Sequence, residues 1–249
     1  MKLGKHPATY SRRDLRLSKY LTADKLPEIP AEFGHEDVVK DYGMLGNRDY
    51  GDCVWAGACH EHMLWTALGS TQSDFDDAGA LRAYSAVTGF NPDDPLTDTG
   101  TPVRDAMKYR NNVGVLDVSG RPHRIAAYAT IEPGDLDRLK AAAYLFSAVG
   151  VGILFPESAM DQFENGQPWD VVSNEQPDSG HYIPVVGFRG GNFLCVTWGK
   201  LQQITPAFLK KYCDEVWSVF THEYIRNGTS PEGFDLSALL DDQKAVIIT

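Results

Sequence analysis

No stretch of this chain holds the roughly 18–20 consecutive apolar residues that a membrane-spanning helix needs. The first residues are basic, but no apolar segment of the secretory type follows them, so no export signal is expected and the chain reads as cytoplasmic. Cysteine is sparse, four in 249 residues. Cys53 and Cys59 fall on one predicted helix, about 9 Å apart along its axis, and bridging them would break it. Cys195 and Cys213 could pair, but their spacing does not demand it; the usage is that of a reduced compartment. Cations are outnumbered, 23 Lys and Arg against 34 Asp and Glu, and a net charge of −11 argues against nucleic acid as the main partner. Internal repeats and low-complexity tracts are also missing.

What remains is a globular composition, 43% hydrophobic and 11% aromatic, with enough chain for one large domain or two modest lobes. The charge is uneven. Lys2, Lys5, Arg12, Arg13, Arg16 and Lys19 face Asp14 alone, so residues 1–20 carry +5 and the remainder −16. Residues 1–37 read as a basic extended arm, either a docking segment for an assembly partner or a solvated tail. Pro27 and Pro30 hold it extended, and Arg12–Tyr20 suits a short helix. A helix is expected from Cys53 to about Leu68, apolar around most of its cylinder and closed by Gly69, hence buried and central. Further helices are expected at Asp76–Thr88, Thr101–Arg110, Gly134–Ser147 and Pro206–Val216. Strands are expected at Val113–Leu116, Ile125–Thr130, Val149–Phe155, His181–Phe188, Phe193–Thr197 and Val216–Tyr224. Gln162–Ser179 is polar and reads as loop, and residues 226–249 form an acidic extension. Helices come first and strands later, the order of an α+β fold.

Chemistry concentrates in Gly46-Asn47-Arg48-Asp49-Tyr50-Gly51-Asp52-Cys53-Val54-Trp55-Ala56. A cysteine that opens a helix sits at the positive end of the macrodipole, which favours thiolate. Free backbone N–H groups at the same end can meet a developing oxyanion. Asp52 suits the N-cap, while its charge beside the thiol opposes the dipole. A base is offered by His181, at the head of a strand far away in sequence. Singly, a buried helix cysteine or a lone histidine is more often structural. The context raises the odds: Gly180-His181-Tyr182-Ile183-Pro184-Val185-Val186-Gly187-Phe188 is followed by Thr197-Trp198-Gly199, an indole next to a glycine.

Together these segments resemble papain-like cysteine peptidases, in the same order and over roughly residues 38–225. Asn47 stands six residues before Cys53, where the family keeps its oxyanion-hole glutamine. Gly180-His181 and Gly187 match the histidine strand. Trp198-Gly199 matches the end of the segment whose indole shields the histidine. Asp98-Thr99-Gly100 resembles the region of the substrate-edge glycine. The resemblance implies a two-lobed α+β fold, a helical lobe carrying Cys53 and a β-rich lobe carrying His181, with peptide or protein substrates in the cleft between. It implies Cys53, His181, Asn47 and Thr197 as catalytic residues and Gly100, Gly180 and Trp198 as substrate-binding ones, with no cofactor and no metal.

The departures from the family are specific. Counting back from Trp198-Gly199, the residue that orients the histidine falls on Val196, which cannot hydrogen-bond an imidazole. Either Thr197 serves through a one-residue register shift, or another group or water holds the ring, or catalysis is weak or absent. Tyr50 replaces the first cysteine of the family's disulfide at this helix, and the arm is too short to read as an inhibitory propeptide. Cys59-His60-Glu61-His62 looks metal-like, but His60 and His62 point about 200° apart on a helix and read as a partly exposed face. His123 and His222 have no visible partners. The expected function is a thiol hydrolase, a cysteine peptidase or amidase. The second reading, motivated by Val196 and the basic arm, is a catalytically weak or inactive structural module of a bacteriophage particle or another bacterial assembly.

Overall fold

A computed structural model describes the chain except for residues 23–27, 178, 226–227, 232 and 249 and the side chains of 246–248. Pro27, on which part of the extended-arm reading rests, lies outside the described residues. The helices are α1 (Cys53–Gly69), α2 (Asp77–Thr88), α3 (Val103–Asn112), α4 (Leu136–Phe146), α5 (Glu157–Glu164), α6 (Pro206–Tyr212) and α7 (Ser237–Ile248). The strands are β1 (Phe33–Gly34), β2 (Val115–Leu116), β3 (Pro122–His123), β4 (Ala127–Ile131), β5 (Val149–Phe155), β6 (Ser179–Arg189), β7 (Asn192–Thr197), β8 (Lys200–Ile204) and β9 (Cys213–Phe220). This is the expected α+β fold. The main sheet runs β4-β9-β5-β6-β7-β8, with β1 added to β6 and every pair antiparallel. Among the described residues no helix is long and apolar enough to cross a membrane.

α1 is the central helix, buried from Cys53 through Thr66. It packs on β6 at a contact two glycines make possible. A Cβ on Gly57 of α1 would stand 2.6 Å from the Tyr182 ring, and one on Gly150 of β5 would stand 1.9 Å from the Tyr182 hydroxyl. The partly exposed face expected at Cys59-His60-Glu61-His62 is therefore absent: all four are buried, and each polar one has a partner. His60 Nε2 lies 3.0 Å from the Gly43 carbonyl, and His62 Nδ1 lies 2.8 Å from Glu223. Glu61 accepts from Arg110 Nη2 at 2.6 Å and from the Tyr182 hydroxyl at 2.8 Å.

That buried ion pair yields a stability prediction. Arg110→Met should cost about 3–5 kcal/mol in urea unfolding, because it strands a buried carboxylate. Adding Glu61→Leu should recover most of the loss, since the stranded charge goes with it.

Several elements differ from expectation. α5 forms at Glu157–Glu164, where no element was expected, burying Ala159 and Phe163; its last turn runs into the segment read as loop from Gln162. β8 is an additional strand whose Gln202 and Ile204 turn inward. α6 stops at Tyr212 because Cys213 already belongs to β9. Arg12–Tyr20 gives only a single 3-10 turn, Leu17–Lys19, with Leu17 buried. The acidic extension ends in α7, where Gln243 accepts from the Tyr128 N–H of β4.

Candidate active site

Cys53 begins α1, and His181 lies on β6 opposite Ile153 of β5. Both are 1% exposed. The backbone N–H groups of Tyr182, the residue after His181, and of Gly4 in the N-terminal arm lie close enough to the Cys53 thiol to favour its ionised form. Burial pushes the thiol up to about 12, outweighing those groups and the nearby Lys5 cation. The thiolate expected from the helix dipole is thus not favoured in this covered arrangement. Asp52 holds the N-cap position without making a capping bond. Neither carboxylate oxygen has a partner at hydrogen-bond distance among the described residues, and burial raises the group well above its ordinary value, outweighing the opposing influence of the nearby Asn47 amide. Burial thus opposes the charged form of Asp52, and what charge it carries works against the Cys53 thiolate.

His181 Nε2 lies 2.7 Å from Thr197 Oγ1, whereas Nδ1 is buried with no partner among the described residues. Burial lowers the imidazole to about 3, so it is neutral. The reason Thr197 and not Val196 reaches it is a break in strand register. Near the hairpin turn β6 and β7 pair as Gly187 with Leu194, but beyond Val186 they pair as Val185 with Cys195. Because side chains alternate faces, this one-residue shift puts Thr197 on the His181 face and Val196 on the other.

Trp198 stacks on the imidazole, with ring centroids 4.5 Å apart and planes at 16°. Phe155 and Trp169 approach edge-on at 5.6 and 6.4 Å. Trp198 and Gly199 form the two-residue turn joining β7 to β8, with φ of +47° and +71°. A positive φ is costly for a bulky residue, and here it turns the indole onto His181. The ring contacts of Trp198 are with Phe155, Phe163, Trp169 and His181, none of them in the arm.

The groove beside Cys53 is filled by the arm. Gly4 and Lys5 N–H groups both donate to the Gly180 carbonyl, at 3.2 and 3.0 Å. Thr101 N–H donates to Gly4 O at 2.7 Å, and His6 N–H donates to Thr101 O at 3.1 Å. Asn47 Nδ2 donates to the Lys2 carbonyl at 3.2 Å and to Tyr50 O at 3.0 Å. The groove edge that pairs is Thr101, one residue beyond the expected Gly100, whose own N–H donates to the Tyr84 hydroxyl. A Cβ on Gly100 would come within 2.3 Å of Gly4 O, and one on Gly180 within 2.2 Å of Lys5 O. Both positions admit only glycine at this approach. Residues 2–6 of the arm thus lie over Cys53, between Thr101 and Gly180. The missed participants are Lys5, Thr101 and the acidic pair Asp214 and Glu215. Their signal was two carboxylates at the start of an otherwise apolar strand.

A second polar cluster lies away from the groove. His123 bonds Glu223 through Nδ1 and Asp117 through Nε2, correcting the expectation that it has no partner. His62, His123 and Glu223 present ligand atoms within 4.8 Å of one another and could hold a metal ion. A protonated His123 between its two carboxylates satisfies the same contacts without one.

Burial of neutral histidines predicts a pH dependence. His60 is lowered to about 4 and His181 to about 3, both by burial. Below their unfolded value near 6.5, unfolding takes up these protons, so this stability is present above pH 6.5 and lost as pH falls. Between about pH 6 and 5 the slope should approach roughly 1.4 kcal/mol per pH unit for each group, the His60 share fading toward pH 4. Urea titrations should show it, and His60→Gln should reduce it by one proton.

No protein-family model matches the chain, and no curated protein matches it in sequence. Solved structures do. Xylellain, a cysteine protease from Xylella fastidiosa, superposes with a TM-score of 0.66 over 90% of this chain and 96% of its own, at 15% identity. Procathepsin B S9 from Trypanosoma congolense gives 0.64 over 89% and 87%, at 12% identity. The proform of the ragweed pollen cysteine protease Amb a 11 gives 0.62 over 91% and 67%, at 13% identity. The chain has the papain-like fold.

Proposed function

We propose that this protein is a thiol hydrolase of peptide or amide bonds whose groove is covered by its own residues 2–6. The observation that carries the reading is the His181 Nε2 bond to Thr197, which leaves Nδ1 bare beside the strand residue whose N–H lies close to the Cys53 thiol. Once the arm leaves, His181 Nδ1 takes the Cys53 proton and the thiolate adds to the substrate carbonyl. Asn47 and the Cys53 N–H hold the oxyanion. Collapse forms a thioester on Cys53 and breaks the C–N bond, with His181 returning the proton to the departing amine. His181 then deprotonates a water that hydrolyses the thioester. The named neighbours are cysteine proteases, two of them solved as proforms, which supports both the chemistry and the covered groove.

The test is hydrolysis of a mixture of internally quenched peptides by the full chain and by its Lys5→Ala variant. Hydrolysis should rise in the variant and vanish when Cys53→Ala or His181→Ala is added. Activity surviving Cys53→Ala, or none in either chain, would overturn the reading.

A further inference from the structure

Next to Gly4, which covers the Cys53 thiol, Lys5 sends its side chain into the start of β9. Its ammonium is fully buried and has three acceptors: Asp214 Oδ2 at 2.8 Å, Glu215 Oε1 at 3.2 Å and the His6 carbonyl at 2.7 Å. Glu215 is held in place independently of the arm, whereas Asp214 Oδ2 also accepts from the Ala8 N–H at 3.1 Å. Glu215 is 1% exposed, and its other oxygen accepts from Trp217 Nε1 at 2.7 Å, which holds the carboxylate in place. Asp214 Oδ1 is buried with no partner among the described residues. Gly152, paired with Glu215 across β5 and β9, clears the path for the stem. A Cβ there would come within 2.8 Å of Lys5 Cδ and 3.0 Å of Cε.

We propose that this site is a binding pocket for the lysine or arginine side chain of the peptide that replaces the arm, with Glu215 and Asp214 as its specificity-determining residues. The word substrate rests on the hydrolase reading above; the demand for a cation does not. Two carboxylates converge on one ammonium, a charge surplus that a guanidinium, with five donors in a planar fork, also suits. An apolar side chain would leave the Glu215 carboxylate buried without a counter-ion, and an acidic one would add a like charge. Lys5 is thus the resident occupant of a pocket whose chemistry selects basic side chains from other peptides.

The test uses the full-length Lys5→Ala chain, in which the resident cation is gone. Two readouts are taken with one peptide set varied position by position among Lys, Arg, norleucine and Glu. These are kcat/KM for cleavage, and binding by fluorescence anisotropy in the Cys53→Ala background. At one peptide position Lys and Arg should exceed norleucine at least tenfold in both readouts, with Glu weakest. Glu215→Gln, which keeps the acceptor for Trp217, should abolish the preference. Asp214→Asn, at a more exposed position, should reduce it if Glu215→Gln fails to fold. Cleavage without a basic preference would overturn the pocket and leave the hydrolase reading standing. Tight, Glu215-dependent binding of basic peptides without cleavage would support the pocket and overturn the hydrolase. No preference in either readout overturns the pocket.

Discussion

Lys5→Glu is expected to raise the rate of Cys53 alkylation at pH 7 by about three orders of magnitude. With residues 2–6 in the groove, burial pushes the thiol up to about 12. Re-exposure returns it toward the ordinary value near 8.5–9, and each unit changes the thiolate fraction about tenfold. Within residues 2–6 the buried ionic anchor is Lys5 between Asp214 and Glu215, beside a ring contact from His6 to the Thr99 carbonyl, so a glutamate at position 5 sets three carboxylates together. The remaining groove contacts are mainly backbone hydrogen bonds, each contributing only about 1 kcal/mol net once water competes. Iodoacetamide labelling read cysteine by cysteine provides the check, with buried Cys59 and Cys195 as internal controls that should not change. A Cys53 rate that stays with theirs would mean that Lys5 does not hold the groove closed.

Thr197→Val should lower kcat by roughly 10²–10³ with little change in KM, within the range that a positioned acid–base group contributes. The substitution keeps the shape and removes only the hydroxyl facing His181 Nε2. The ring would lose the contact that fixes its rotation and keeps Nδ1 bare, and Nε2 would be left buried and unpaired. Unpairing alone should cost about 1–3 kcal/mol of stability, so stability must be measured alongside. Thr197→Ser should restore kcat. Val196→Asn combined with Thr197→Val should not, because the register shift in β6 turns position 196 to the opposite face. Rescue by Val196→Asn would place the orienting group where the family motif has it and contradict the register reading.

How far the sequence reached depended on the kind of signal. Cys53–Gly69 was legible because its apolar residues surround the cylinder, and Val149–Phe155 because it is a short uncharged run with Val149, Val151 and Ile153 at alternate positions. The Cys53 and His181 segments were legible because Gly, His and Trp stand at fixed spacings. Thr197 stayed ambiguous: which side chain faces His181 depends on an irregularity at Val186 that no local pattern announces. The buried polar residues of α1 were misread as half exposed, since their partners Arg110, Tyr182 and Glu223 come from distant segments. The packing of residues 2–6 against their own chain was not legible for a similar reason. The charge of the arm was visible, but the complementary pair Asp214 and Glu215 is more than 200 residues away, and a surplus of cations looked like a summons to another molecule.

The most direct measurement on the Cys53–His181 pair is modification by a peptidyl epoxide in the Lys5→Glu chain, quantified for each cysteine by mass spectrometry. Cys53 should react at least a hundredfold faster than the partly exposed Cys213, and His181→Ala should remove the difference. Labelling of Cys53 no faster than Cys213, or labelling that survives His181→Ala unchanged, would contradict a working pair.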